Sequence, residues 1–171
     1  VVTAPGAIAD VAVAVDGEAE RRAEPLRRDR RAQHHPGVRQ AGRAALTLGG
    51  TADSVAQDLL LQARKLRREA TGPEVLRKSL TLLDAALARD PNYADAYVAK
   101  ADALNVLGTN YPTSPADKDR HDAQAEAAAR RAGALAPKLG AGYAMLAYID
   151  RNRLDFVGSL DHMGQALALS P

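Results

Sequence analysis

The sequence predicts an all-α fold of stacked helical hairpins, and three observations carry it. From Gly50 onward the apolar residues follow helical periodicity. Three prolines, Pro91, Pro137 and Pro171, each close an alanine- and leucine-rich stretch: LLDAALARDP, ARRAGALAP and DHMGQALALSP. Counted back from those prolines, small residues recur in register. Ala86, Ala132 and Ala166 lie five positions before, and Ser79, Ala125 and Ser159 lie twelve before. Leu83, Ala129 and Met163 fall between them. Internal repetition at this scale outranks other signals in assigning a fold.

Taken in order, residues 1–50 come first and read as a non-globular, Arg/Ala-rich low-complexity segment. They contain no Phe, Tyr, Trp, Met, Ser, Asn or Lys. Without aromatics the segment cannot bury enough apolar area to offset the entropy of ordering, so disorder is expected. Eight arginines fall between Arg21 and Arg43, which opens a second reading as a basic arm for nucleic acid. The interleaved Glu24 and Asp29, and the absence of lysine and aromatic companions, weigh against it. The composition also matches GC-rich DNA translated out of frame. His34 and His35 are adjacent and have no further ligand nearby, so no metal site is expected there.

The repeats follow, over 51–171. The first unit, about 60–93, places Ser79, Leu83, Ala86 and Pro91 well. A first helix one turn longer than strict counting puts Ala63, instead of Arg67, at the small packing position. The second unit, about 94–139, carries Tyr97, Ala101, Ala125, Ala129, Ala132 and Pro137 but is twelve residues too long. The excess is expected near 109–120, with TNYPT as a widened loop. Ser114 suits an N-cap, Pro115 the first turn and Asp117 the positive helix end, so a helix should run from Pro115 to about Ala136. His121 stands there among Asp119, Asp122 and Glu126, as on a solvated charged face. The third unit, 140–171, carries Tyr143, Leu146, Ala147, Ser159, Met163, Ala166 and Pro171. Its last helix, about Leu154–Leu169, should expose an apolar stripe that a further repeat or a second subunit could cover.

These positions resemble the tetratricopeptide (TPR) repeat, with an aromatic early in the first helix, small–large–small in the second and proline after it. The resemblance implies a short right-handed α-solenoid. The whole run from Gly50 is similar, more particularly, to TPR regions that follow winged-helix DNA-binding domains or class III adenylate cyclase domains in bacterial regulators. LARDPNYADAYVAKADAL and GYAMLAYIDRNRLDFVGSL carry that likeness. It implies a protein-interaction scaffold in the cytoplasm and a fragment of a larger regulator, a reading matched by a chain that opens on Val1. The other reading is a structural spacer whose catalytic (cyclase) or DNA-binding domain is missing from the fragment.

In TPR arrays the first helix of each hairpin lines a concave groove for a protein or peptide ligand. By that register the lining would be Asp95, Val98, Asp102 and Asn105, then Ala144, Tyr148, Arg151 and Asn152. The Lys and Asn that clamp a chaperone's terminal carboxylate in some TPR domains are replaced by Val98, Asp102, Ala144 and Tyr148, so that clamp is not expected. An acidic middle flanked by Arg151 and Asn152 would suit a mixed or basic peptide.

Other classes receive little support. The chain has no cysteine, hence neither disulfide nor thiolate site. No nucleophile–base order, metal cluster or phosphate loop is present, so no catalysis, metal or cofactor is expected. LTLGGTADS lacks the Lys that a phosphate loop needs. A net charge of +2 does not call for nucleic acid, and no apolar run is long enough for a membrane span.

Overall fold

The computed structural model describes residues 48–169. The readings placed on residues 1–47 and on Pro171 lie outside the described residues. Within them the chain forms six helices and no strand: α1 Ser54–Glu69, α2 Pro73–Arg89, α3 Ala94–Asn110, α4 Pro115–Leu135, α5 Gly140–Asn152 and α6 Phe156–Leu169. None is long and apolar enough to cross a membrane.

Local chemistry explains the starts. Asp53 accepts from the Val55 and Ala56 N–H groups at 2.9 Å each, which caps α1. Arg89 ties the same carboxylate to the end of α2, at 2.9 Å. Pro73 opens α2, where its missing N–H costs nothing. Ser114 accepts from the Asp117 N–H at 3.1 Å, and the Asp117 carboxylate reaches back to the Thr113 N–H at 3.0 Å and its hydroxyl at 2.9 Å. Two unpaired donors at the head of α4 are thereby satisfied.

Packing is most extensive within consecutive pairs: α1 with α2, α3 with α4, α5 with α6. The pairs join through α2–α3 and α4–α5, and α3 also touches α1 and α5. The recurrent small positions lie where helices meet. Ser79, Ala86, Ala125 and Ala132 are fully buried, and so are Leu83 and Ala129 between them. Ala63 is buried beside Leu60, Leu83 and Ala86, the place the longer first helix gives it, whereas α1 itself begins as early as Ser54. Tyr97 is half-buried and packs against three apolar clusters, joining the first pair of helices to α4 and α5. Its neighbour Tyr93 is the more deeply buried of the two, at 3 % exposure.

Three expectations are corrected. The extra residues of the middle unit do not form a widened TNYPT loop. Thr109 and Asn110 continue α3, only residues 111–114 connect, and the rest lengthens α4 to 21 residues. Gly108, inside α3, serves close approach. A Cβ there would lie 2.7 Å from Asp122 Oδ1 and 3.1 Å from His121 Cβ.

The second correction follows from the first. Asp122 and His121 are not on a solvated face, because α4 turns them toward α3. Asp122 is 6 % exposed and paired with Lys118. His121 Nδ1 is buried without a hydrogen-bond partner. The third concerns the boundary at residue 50. Gly49 is buried, and its carbonyl accepts from the Asp95 N–H at 2.9 Å. With φ at +93° and Leu139 Cδ2 only 2.8 Å from a would-be Cβ, this position requires glycine.

Candidate functional site

The residues expected to line a groove are brought together where α3 runs between α1 and α5. What the structure adds is that half of them are already engaged. Asp102 pairs with Arg67 of α1. Asn152 of α5 donates to Asn105 Oδ1 at 2.9 Å and to Thr109 Oγ1 at 3.1 Å. Three of the candidates thus hold neighbouring first helices together. Val98 is half-buried and packs toward the clusters around Ala132 and Leu146, so it is chiefly a core contact.

Asp95 has a different setting. It lies in a cavity of about 280 Å³ with Leu61, Arg64, Tyr93 and Leu48. Burial pushes its carboxyl above the ordinary value, and Arg64 acts in the opposite direction. Tyr148 and Arg151 remain outward. Tyr148 is 41 % exposed, and the Arg151 guanidinium stacks over its ring at 4.9 Å from the centroid. Arg151 has no ion pair among the described residues. Ala144 is half-buried beside them.

Arg64 and Arg67 change the electrostatics, and neither was foreseen as part of this face. Each stands near an α3 carboxylate, so the middle is neutralised and not acidic. The sequence held the signal. Aligning Ala63 with Ala101 places Arg64 in step with Asp102 and Arg67 in step with Asn105.

A larger groove, about 490 Å³, opens on another side of α3, between α2 and α4. Its charges are matched internally: Lys100 with Asp84 at 2.6 Å, and Arg120 with Asp117. No three His, Asp or Glu side chains converge on a metal-sized space among the described residues. No family model matches the chain, and neither a curated protein nor a solved structure matches it.

Proposed function

We propose that this chain is a protein-interaction scaffold of the TPR type, its helices forming a short right-handed α-solenoid with α1, α3 and α5 lining the concave side. The repeated small–large–small register of buried residues supports the repeat reading, as does the pairing of successive helices. The likeness to regulator TPR regions makes it one part of a larger bacterial signalling or transcriptional protein in the cytoplasm.

The ligand is an extended peptide that presents acidic or aromatic side chains. The observation that carries this is the exposed Tyr148–Arg151 stack beside a row of side chains that already satisfy one another. An aromatic face and a guanidinium together suit an acidic or aromatic peptide side chain. The neutral stretch formed by Arg67 and Asp102 replaces the preference for a basic peptide.

Peptide-display selection on the full chain tests the proposal. Selected peptides should lose about tenfold or more in affinity on Tyr148→Ala or Arg151→Ala, with the helical circular dichroism unchanged. Peptides indifferent to both substitutions would move the site elsewhere on the molecule. Selection that never rises above background would leave the spacer reading in its place.

A further inference from the structure

Helices α2 and α4 both pack on α3, but they do not touch each other. Between them, over one side of α3, lies the trough of about 490 Å³. Tyr97, Lys100 and Leu104, three and four residues apart, line it from one face of α3. Leu80 and Asp84 line it from α2. From α4 come Arg120, His121 and Gln124, then Ala127 and Ala128 a turn further on. Alanines there keep α4 from filling the space, and the volume falls in the range that holds small organic ligands. Because α1 precedes these three helices and α5 follows them, both walls are interior to the row.

The lining offers more hydrogen-bond donors than its own pairs use. Lys100 is paired with Asp84 at 2.6 Å, and Arg120 with Asp117, which stands outside the trough. An ammonium has three N–H donors and a guanidinium five, and each pair engages one of them. Among the described residues Asp84 is the only carboxylate of the lining, so two fixed cations outnumber it. Gln124 adds an amide. The His121 Nδ1 is buried without a hydrogen-bond partner, with Asp117 Oδ1 3.5 Å away. No acceptor at that nitrogen fixes the tautomer, and the ring can offer an N–H to a ligand. The remainder of the lining is apolar: Leu80, Leu104, the Tyr97 ring and the two alanines.

We propose that the trough binds a small organic anion with a flat apolar body, of the aromatic carboxylate class. The carboxylate takes the free donors of Lys100 and Arg120 in charge-assisted hydrogen bonds, and the ring lies against Leu80, Tyr97 and Leu104. A cationic ligand would find Asp84 already committed to Lys100. An uncharged one would desolvate the two cations and leave their donors unmet. The site is separate from the Tyr148–Arg151 stack, which belongs to α5 and contributes nothing to this lining.

Titrating the isotope-labelled full chain with 2-naphthoate, followed by amide chemical shifts, tests this. Half-saturation should come at about 1 mM, the value expected for a ligand of this size. The shifts should centre on Asp84, Lys100, Leu104 and Gln124. Lys100→Gln and Arg120→Gln should each weaken binding about 5- to 10-fold, and the uncharged analogue naphthylmethanol should bind about tenfold more weakly than naphthoate. Ala127→Trp should abolish binding by filling the trough; Ala127 is exposed, so helical circular dichroism should not change. No saturation by about 10 mM overturns the proposal, and a trough already filled by another part of the chain would give that result. Shifts centred on another helix overturn it too. So do glutamine variants that bind undiminished, an Ala127→Trp variant that still binds, or naphthylmethanol binding as tightly as naphthoate.

Discussion

Ser79 is fully buried, and its hydroxyl has no hydrogen-bond partner. Ser159 occupies the equivalent place on α6 and donates to the Ala147 carbonyl at 2.9 Å. Both serines satisfy the need for a small side chain where helices approach, which is why the sequence discloses the position. It does not disclose whether an acceptor lies within reach. Ser79→Ala removes a desolvated hydroxyl and should raise stability by about 1 kcal/mol, read from urea unfolding. Asp117 allows a second prediction. The Thr113 N–H and hydroxyl, with Arg120 adding to them, hold its carboxyl below the ordinary 3.8. A depressed folded-state value contributes stability that is complete above the unfolded value and is lost as pH falls through the folded one. Asp117→Asn should therefore be less stable than the parent at neutral pH, and the gap should narrow as the pH drops below about 4. Urea midpoints across pH 2–7 would show it, and a gap that widens in acid would contradict it.

At the scale of elements, the α5–α6 junction is where local sequence and structure disagree. RNRLDF contains neither glycine nor proline, yet α5 stops there. The Leu154 N–H donates to the Arg151 carbonyl at 3.0 Å and the Asp155 N–H to the Asp150 carbonyl at 2.9 Å, a Schellman closure. The residue at its left-handed position is Leu154, at φ 64°. Asp155 then accepts from the Gly158 N–H at 2.9 Å and starts α6. A leucine in this conformation is strained, and at 72 % exposure its side chain recovers little by packing. Leu154→Gly should stabilise by about 0.5–1 kcal/mol after the greater entropy of unfolded glycine is counted, seen as a higher thermal midpoint. By contrast, the start of α4 was legible because Ser114, Pro115 and Asp117 each act within one turn. The length of α3 was not, since TNYPT reads as a loop along the chain while its Thr109 and Asn110 complete the helix, with Gly108 letting α4 approach closely.

At the scale of the molecule, the all-helical pairing was readable because close helix contacts demand small residues in a fixed order before each proline. The chemistry of the candidate face was readable only in part. Asp95, Asp102 and Asn105 do lie together, but the charge balance around them and their freedom depend on Arg64, Arg67 and Asn152 arriving from other helices. A pattern along one helix carries no record of what the next helix presents to it. The same separation governs how the described residues hold together. No helix touches any beyond its next but one, and nothing connects α1 or α2 directly to α5 or α6. Among the helices a disturbance at one end is therefore relayed through α3 and α4, with Gly49, ahead of α1, resting against Leu139 as the one further contact described. In mechanical terms the molecule is a chain of coupled springs without a keystone: its ends can fray separately while the middle stays closed.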